Sequence, residues 1–349
     1  MTLGIGIIGA GIMGADHAET ITATISGAEV RAVADLDLQR AESVAARIPG
    51  AQALSAQNLI ASPNVDSVIV ASSDATHAGY VKAAIAANKP VLCEKPLAPS
   101  VSECEEILRL EEAKGFRLIQ VGFMRQFDPG YAELRQRIVS GAIGAPLLAH
   151  CVHRNADVPA GWTSEMTILS AAAHEIQVMP WIFGRNVVRV NWFSPSPDAA
   201  PVRDPQVVIL ELEGGPLVFV ELFAKCCYGY EIGCEVVGQS GTIELAALAR
   251  VALRTDREVR HKIHSDFRGR FADAYRCELQ AWVDAVSRWL AQPGLEPVDG
   301  PDAWDGYRVA AISKAVLESM SNGAPWAVQS IPMPEFYRRG RSTAENTSH

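Results

Sequence analysis

From residue 3 the chain alternates short apolar runs with stretches of helical periodicity. LGIGIIG (3–9), AEVRAVAD (28–35), VDSVIVAS (65–72), KPVLCE (89–94) and FRLIQVGF (116–123) have the length and near-continuous apolarity of strands covered on both faces. Between them, QRAESVAAR, ATHAGYVKAAIAAN and SVSECEEILRLEEAKG repeat apolar positions at helical spacing, and Asp74 is placed to cap the second of these. Strand and helix in alternation predict an α/β domain over 1–123, built on a doubly wound parallel sheet.

Past Met124 the rhythm changes. DPGYAELRQRIVSG reads as a helix ending at Gly141, and PLLAHCVHRN (146–155) as an extended strand. TILSAAAHEIQVMPWIFG (167–184) reads as a helix kinked at Pro180. VVILELEGGPLVFVELF predicts a hairpin turning at 213–215, and YEIGCEVVGQSGTIELA another turning at 238–241. Two closing helices are expected over 273–292 and 302–322, the second with Val309, Ile312, Val316 and Met320 as its core stripe. The second domain, 124–337, is therefore α+β with a large, mostly antiparallel open sheet. The polar tail 338–349 is expected to be mobile.

Charge and composition narrow the function. A net charge of −9 with no Lys/Arg cluster argues against a nucleic-acid partner, because phosphate neutralisation needs a basic face. Seven scattered cysteines without a CxxC pair fit reduced thiols in a cytoplasm. No ligand cluster has metal spacing, so no metal is expected. The apolar N-terminus lacks a basic flank, and no apolar run approaches the roughly 20 residues of a membrane span.

Candidate chemistry begins at GAGIMG. Gly9, Gly11 and Gly14 form a GxGxxG loop between a strand and a helix. Gly9 suits the tight turn, Gly11 a close approach to a pyrophosphate, and Gly14 helix-on-sheet packing; the amides near Ile12 and Met13 point at the anion. Asp35, 21 residues past Gly14, ends the second strand where a carboxylate meets ribose hydroxyls. It favours NAD, while the nearby Arg40 leaves NADP open. Ser73 and His77, beyond the third strand, are further cofactor-binding candidates. Glu94 and Lys95 end the fourth strand at the sheet edge where ligands bind, and Pro96 stops that strand there.

In the second half, period-two alternation puts Ala149, Cys151, His153 and Asn155 on one strand face. His153 and Asn155 suit a polyol, or are an exposed polar strand end. Arg125 either holds a polar substrate or makes a domain-linker salt bridge, and Tyr230 competes with Tyr228 to reach inward. His174 either packs as a structural histidine or takes a hydroxyl proton, imidazole being suited to that near neutral pH.

GxGxxG, Asp35 and EKPLA (94–98), with VGFMRQFDPGY (121–131), HRN (153–155), HEI (174–176) and YGYEIGCEVVG (228–238), resemble the glucose-fructose oxidoreductase/inositol dehydrogenase/MocA (Gfo/Idh/MocA) family over nearly the whole chain, its inositol dehydrogenases in particular. The resemblance implies a Rossmann domain, an open-sheet second domain and a homo-oligomer, tetramer or dimer, assembled through that sheet. It implies that Lys95 contacts both cofactor and substrate hydroxyl. His174 is expected to serve as the base, alone or with Lys95 sharing that task. The family pattern has an aspartate four residues before this histidine and often another three after it; here Ser170 and Gln177 stand there. Serine can hydrogen-bond an imidazole but cannot stabilise its cation by charge, and Glu175 lies about a quarter-turn away on the helix. The expected function is NAD-dependent oxidation of a secondary hydroxyl of a cyclic polyol or pyranose sugar. The alternatives are a non-catalytic NAD-binding sensor and an enzyme using tightly held NAD for transient oxidation.

Overall fold

The structure is a computed structural model that describes residues 2–195, 200–246, 252–255, 257–292 and 294–338. Apart from Arg338, the tail expected over 338–349 lies outside the described residues. By packing, the chain divides into two compact units. The first comprises the residues up to Met124, Ala274–Ala310 and the segment from Met333; the second comprises Arg125–Asp273 and Ala311–Pro332.

The first unit opens with β1 (Leu3–Ile8), α1 (Ile12–Thr24), β2 (Ala28–Ala34), α2 (Leu38–Ala45), β3 (Gln52–Ala53) and α3 (Ala56–Ala61). It continues through β4 (Ser67–Val70), α4 (Asp74–Ala86), β5 (Val91–Glu94), α5 (Val101–Lys114) and β6 (Ile119–Gly122). Its six strands run parallel in the order β3-β2-β1-β4-β5-β6. The five expected strands are all present, joined by the short β3, and β1, β4, β5 and β6 are buried along their whole length. Ser100 caps α5 by accepting from the Glu103 amide while its hydroxyl donates to the Glu103 carboxylate, a local device legible in Ser-x-x-Glu. At α4 the cap is Ser73 rather than Asp74, which is the first helical residue and places its negative charge in the first turn.

The second unit contains a 3₁₀ turn (Met124–Phe127), α6 (Pro129–Val139), β7 (Pro146–Arg154), a single turn α7 (Ser164–Met166), a π-helical stretch (Thr167–Ala172) and α8 (Ala173–Phe183). Then come β8 (Val187–Phe193), β9 (Gln206–Leu212), β10 (Leu217–Phe223), β11 (Glu231–Gly238), β12 (Gly241–Glu244) and the ribbon of β13 (Ala252–Thr255) and β14 (Glu258–His261). The long helices α9 (Phe267–Ala291) and α10 (Ala303–Asn322) follow, each divided between the two units, then β15 (Trp326–Ala327) in the second unit and α11 (Glu335–Arg338) in the first. A seven-stranded sheet, β12-β11-β7-β10-β9-β8-β15, is antiparallel except for the β7–β10 pair. Both expected hairpins are there, β9–β10 and β11–β12. Strand β8 escaped the sequence reading because a register irregularity between Val187 and Arg189 breaks its alternation.

The expected second domain, 124–337, is not one packing unit. On α9, Leu279, Trp282, Val283 and Val286 share a core with Ile5, Ile7, Ile21, Val30 and Val33. A helix late in the chain thus completes the first sheet's cover, because an apolar stripe is buried wherever a complementary face is available.

Candidate active site

In the first unit the glycine loop is shaped by contacts that allow no side chain. Gly9 has φ +107, and a β-carbon there would stand 2.4 Å from the Ala71 carbonyl oxygen. One at Gly14 would stand 1.8 Å from the Gly9 oxygen, so α1 can lie on the loop only with glycine at that position. Gly11 differs: its φ of −75 is open to any residue, and nothing lies within 4 Å of its would-be β-carbon. Gly11 is also the N-cap of α1, whose cap supplies no side-chain hydrogen bond to the first-turn amides at Ile12 and Met13. Open space above donor-rich backbone is what a dinucleotide pyrophosphate requires.

Asp35 is fixed from both sides: the Ala10 amide donates to Oδ2 at 2.7 Å and the Asp37 amide to Oδ1 at 2.9 Å. Each oxygen keeps a further lone pair for a ribose hydroxyl. Ile12 and Leu36, 70% and 86% exposed, offer apolar surface at the same end of β1 and β2. The residues present fit NAD.

Glu94 is buried at the tip of β5, and Lys95 follows it half-buried, joined to Pro96 by a cis peptide bond. The Lys95 amide donates to Glu94 Oε2 at 3.2 Å, while Glu94 Oε1 lies 2.8 Å from His17 Nε2 on α1. Burial raises the pKa of Glu94, but the His17 hydrogen bond and charge outweigh it and leave the carboxyl below its usual range. His17 was missed from the sequence. The signal was a histidine within α1's buried stripe of Gly14, Ala18 and Ile21. His77 is buried too, with Nδ1 2.6 Å from the Pro96 carbonyl and Nε2 3.1 Å from that of Ser72. It ties the loop after β4 to the turn carrying Lys95, and Ser73 begins the helix between them.

In the second unit, Arg125 from the 3₁₀ turn, His153 from β7 and Glu175 from α8 meet, each at most 3% exposed. Arg125 Nη1 donates to Glu175 Oε1, and His153 Nδ1 lies 3.1 Å from Glu175 Oε2 and 3.2 Å from Arg125 Nη2. Burial pushes Glu175 toward neutrality, but Arg125 and then His153 reverse this and hold it below the ordinary carboxylate range. Arg125 is opposed by burial in the same way and held firmly cationic by Glu175. Arg125 therefore makes a buried salt bridge within this unit rather than one linking domains, and His153 is no exposed strand end.

Tyr230 packs edge-on to His153 at 5.8 Å, buried, its hydroxyl pushed up to about 12 by desolvation against the opposing pull of Arg125. Tyr228 stays half-exposed, bonded to Arg154 and Glu231, so Tyr230 is the inward ring. The His174 ring lies 6.2 Å from that of His153. Asn155 sits just past β7, its backbone tied to Phe223 and Cys226. Ser170 lies half-buried in the π-helical stretch, so the α-helical spacing that relates it to His174 in sequence does not hold locally. Gln177 is buried on α8, and its Oε1 has no hydrogen-bond partner among the described residues. Within this unit Arg125, His153, His174 and Tyr230 are brought together around Glu175.

A family model described as "Oxidoreductase family, NAD-binding Rossmann fold" matches residues 3–123, and its partner, "Oxidoreductase family, C-terminal alpha/beta domain", matches 135–328. The chain belongs to the Gfo/Idh/MocA oxidoreductase family. It is 43% identical to inositol 2-dehydrogenase 1 of Saccharopolyspora erythraea across 97% of this chain and 99% of that protein. To the inositol 2-dehydrogenase of Pseudomonas savastanoi it is 40% identical, across 97% and 100%. Among solved structures it resembles myo-inositol dehydrogenase from Lactobacillus casei in complex with NAD(H) and myo-inositol, with a TM-score of 0.91 and 31% identity over 97% and 100% of the two chains. Among the described residues of this family member, no helix is long and apolar enough to cross a membrane, and no group of three or more His, Cys, Asp or Glu could hold a metal ion.

Proposed function

We propose that the protein oxidises a secondary ring hydroxyl of a cyclic polyol of the inositol class to the ketone, with NAD as the cofactor. The observation that carries this reading is its likeness, over nearly its whole length, to inositol 2-dehydrogenases, one of them crystallised with NAD(H) and myo-inositol. Bound NAD supplies the acceptor for the hydride leaving the carbinol carbon. The Gly9–Gly14 loop and Asp35 hold the pyrophosphate and the adenosine ribose. Lys95 donates a hydrogen bond to the reacting oxygen, and His174 accepts the hydroxyl proton. Arg125, His153, Asn155 and Tyr230 orient the remaining hydroxyls, so that positioning contributes much of the rate. Ser170 and Gln177 make this site less acidic than the family pattern and set its preference among polyols.

The reading extends to assembly and place. On the second-unit sheet, the face bearing Val152, Ile209, Phe219 and Val237 is only half-buried, which suits association of copies into a dimer or tetramer. The described cysteines carry no disulfide, in keeping with a cytoplasmic enzyme. A panel of inositols and aldoses, followed by absorbance of the reduced cofactor, tests the function. Turnover on at least one inositol is expected, and Lys95→Ala should lower it at least ~100-fold with NAD binding retained. Full turnover in that variant would end the assignment, and NAD binding without turnover on any polyol would make the protein a sensor.

A further inference from the structure

We propose that Cys151 and Cys234 are an oxidation site: hydrogen peroxide converts the facing pair to a cross-strand disulfide, which disturbs the buried cluster around Glu175 on the same face. The inference goes beyond the polyol reading and rests on it only for its activity arm.

Cys151 on β7 and Cys234 on β11 stand directly opposite in the antiparallel register. Residues so placed have Cα atoms about 4.5–5.5 Å apart, inside the roughly 4.4–6.8 Å that a disulfide bridges. Both side chains are buried, 3% and 4% exposed, and their sulfurs lie 3.9 Å apart. Closing that gap to a bond of about 2.05 Å asks for side-chain rotation, with the strand register kept.

The hydrogen-bond directions favour the step. The Cys151 thiol donates toward the Cys234 sulfur, and the Cys234 thiol donates toward Met179 Sδ on α8, 4.0 Å away. A lone pair of Cys234 therefore faces Cys151. The Cys151 thiolate attacks one peroxide oxygen and breaks the O–O bond, giving a sulfenic acid and a hydroxide that takes up the thiol proton as water. The Cys234 sulfur then attacks the sulfenic sulfur. The S–O bond breaks, and the departing hydroxide leaves with the Cys234 proton as a second water. Two thiols lose two electrons, and the peroxide gains them.

Hydrogen peroxide is small and uncharged, which suits a buried pair. The hydrogen bond to Cys234 and then burial push the Cys151 thiol well above its ordinary range, so the first attack is slow and needs brief opening of the strands. Among the described strands, β11 is separated from the sheet edge by β12 alone, four residues long and largely exposed, so that opening is an edge event. His153 lies two residues past Cys151 on the same face of β7, and Met179 lies one turn past Glu175 on α8. The sulfurs thus adjoin the Arg125–Glu175–His153 cluster, and the charges of Glu175 and Arg125 act on the Cys151 thiol.

The test is peptide mapping by tandem mass spectrometry after the native protein has been treated with hydrogen peroxide, remaining thiols being alkylated in denaturant. The expected product joins the peptides carrying Cys151 and Cys234, lighter by two hydrogens, and dithiothreitol reverses it. Recovery of both residues as alkylated thiols once the more accessible Cys226 and Cys227 have oxidised would overturn the proposal, as would sulfinic acid at either one. In the activity arm, kcat/KM for the polyol should fall about tenfold in oxidised wild type and return on reduction, while treated Cys234→Ala stays within about twofold of its untreated value. A bond formed with kcat/KM unchanged would overturn the link to the cluster. The wild-type map decides the bond whatever the protein turns over, and whether or not Cys234→Ala folds.

Discussion

Nε2 of His17 lies 2.8 Å from Oε1 of Glu94, so the first helix of the chain holds the residue that precedes Lys95. Glu94 Oε2 in turn accepts the Lys95 amide, and the carboxylate thereby connects α1 to the backbone of the lysine. Glu94→Gln should keep the shape, lose the charge, and lower kcat about tenfold with NAD affinity little changed. The sign of its pH effect follows from a carboxyl held below its usual value. The stabilisation is full above the unfolded value of 4.5 and is lost as pH falls through the lower folded value. Urea unfolding at pH 7 and pH 4 should show wild type losing more stability on acidification than Glu94→Gln.

Gly11 and Gly14 should fail differently. Alanine at Gly14 drives a β-carbon into the Gly9 carbonyl, and Gly14→Ala is expected to destabilise the first unit measurably in thermal melts. Alanine at Gly11 meets nothing and has an allowed φ, so the melting temperature should stay within a degree or two of wild type, as for a surface substitution away from any packed feature. The methyl then occupies space meant for the cofactor, and Kd for NAD should rise about tenfold or more by calorimetry. Unchanged NAD binding in Gly11→Ala would place the pyrophosphate elsewhere.

Glu111 is a stability reporter for the first unit. It is wholly buried, accepts the Leu118 and Ile119 amides at 2.5 and 2.8 Å, and bonds the Tyr337 hydroxyl at 2.7 Å. Burial raises it from 4.5 to about 7 despite these hydrogen bonds. The folded protein therefore holds this proton more tightly than the unfolded chain, and stability falls as pH rises from 4.5 toward 7 and then levels off. Glu111→Gln retains an acceptor for the two amides and a donor for Tyr337. It should match wild type near pH 4.5 and exceed it at pH 8 by on the order of 3 kcal/mol in denaturant unfolding.

Ser170→Asp restores the family's charge beside His174. If the missing carboxylate limits proton acceptance, kcat on myo-inositol should rise about tenfold with KM for NAD unchanged, the size of one charge-assisted hydrogen bond. No gain would mean that the π-helical stretch at 167–172 turns the new carboxylate away from the imidazole.

The cofactor cradle was legible because its determinants are local. Gly9, Gly11 and Gly14 act on the backbone of their own loop, and Asp35 is placed by the length of one strand-helix-strand unit. The four-residue stripe of Val309, Ile312, Val316 and Met320 was read correctly for the same reason, and all four are buried. Glu175 was judged from its angle on one helix, and His17 was overlooked altogether, because the partners of each lie on other elements, 22 and 77 residues away.

By itself the sequence determined the parallel α/β sheet, the glycine loop with its ribose acid, and the placing of Lys95 at a strand tip, since hydrophobic period and turn chemistry act within a few residues. Only the tertiary structure decided that α9 completes the first unit's core, that Tyr230 rather than Tyr228 turns inward, and that the buried anion beside the imidazoles is Glu175. Those outcomes depend on which charges and apolar faces lose water together, and that is settled between elements distant in the chain.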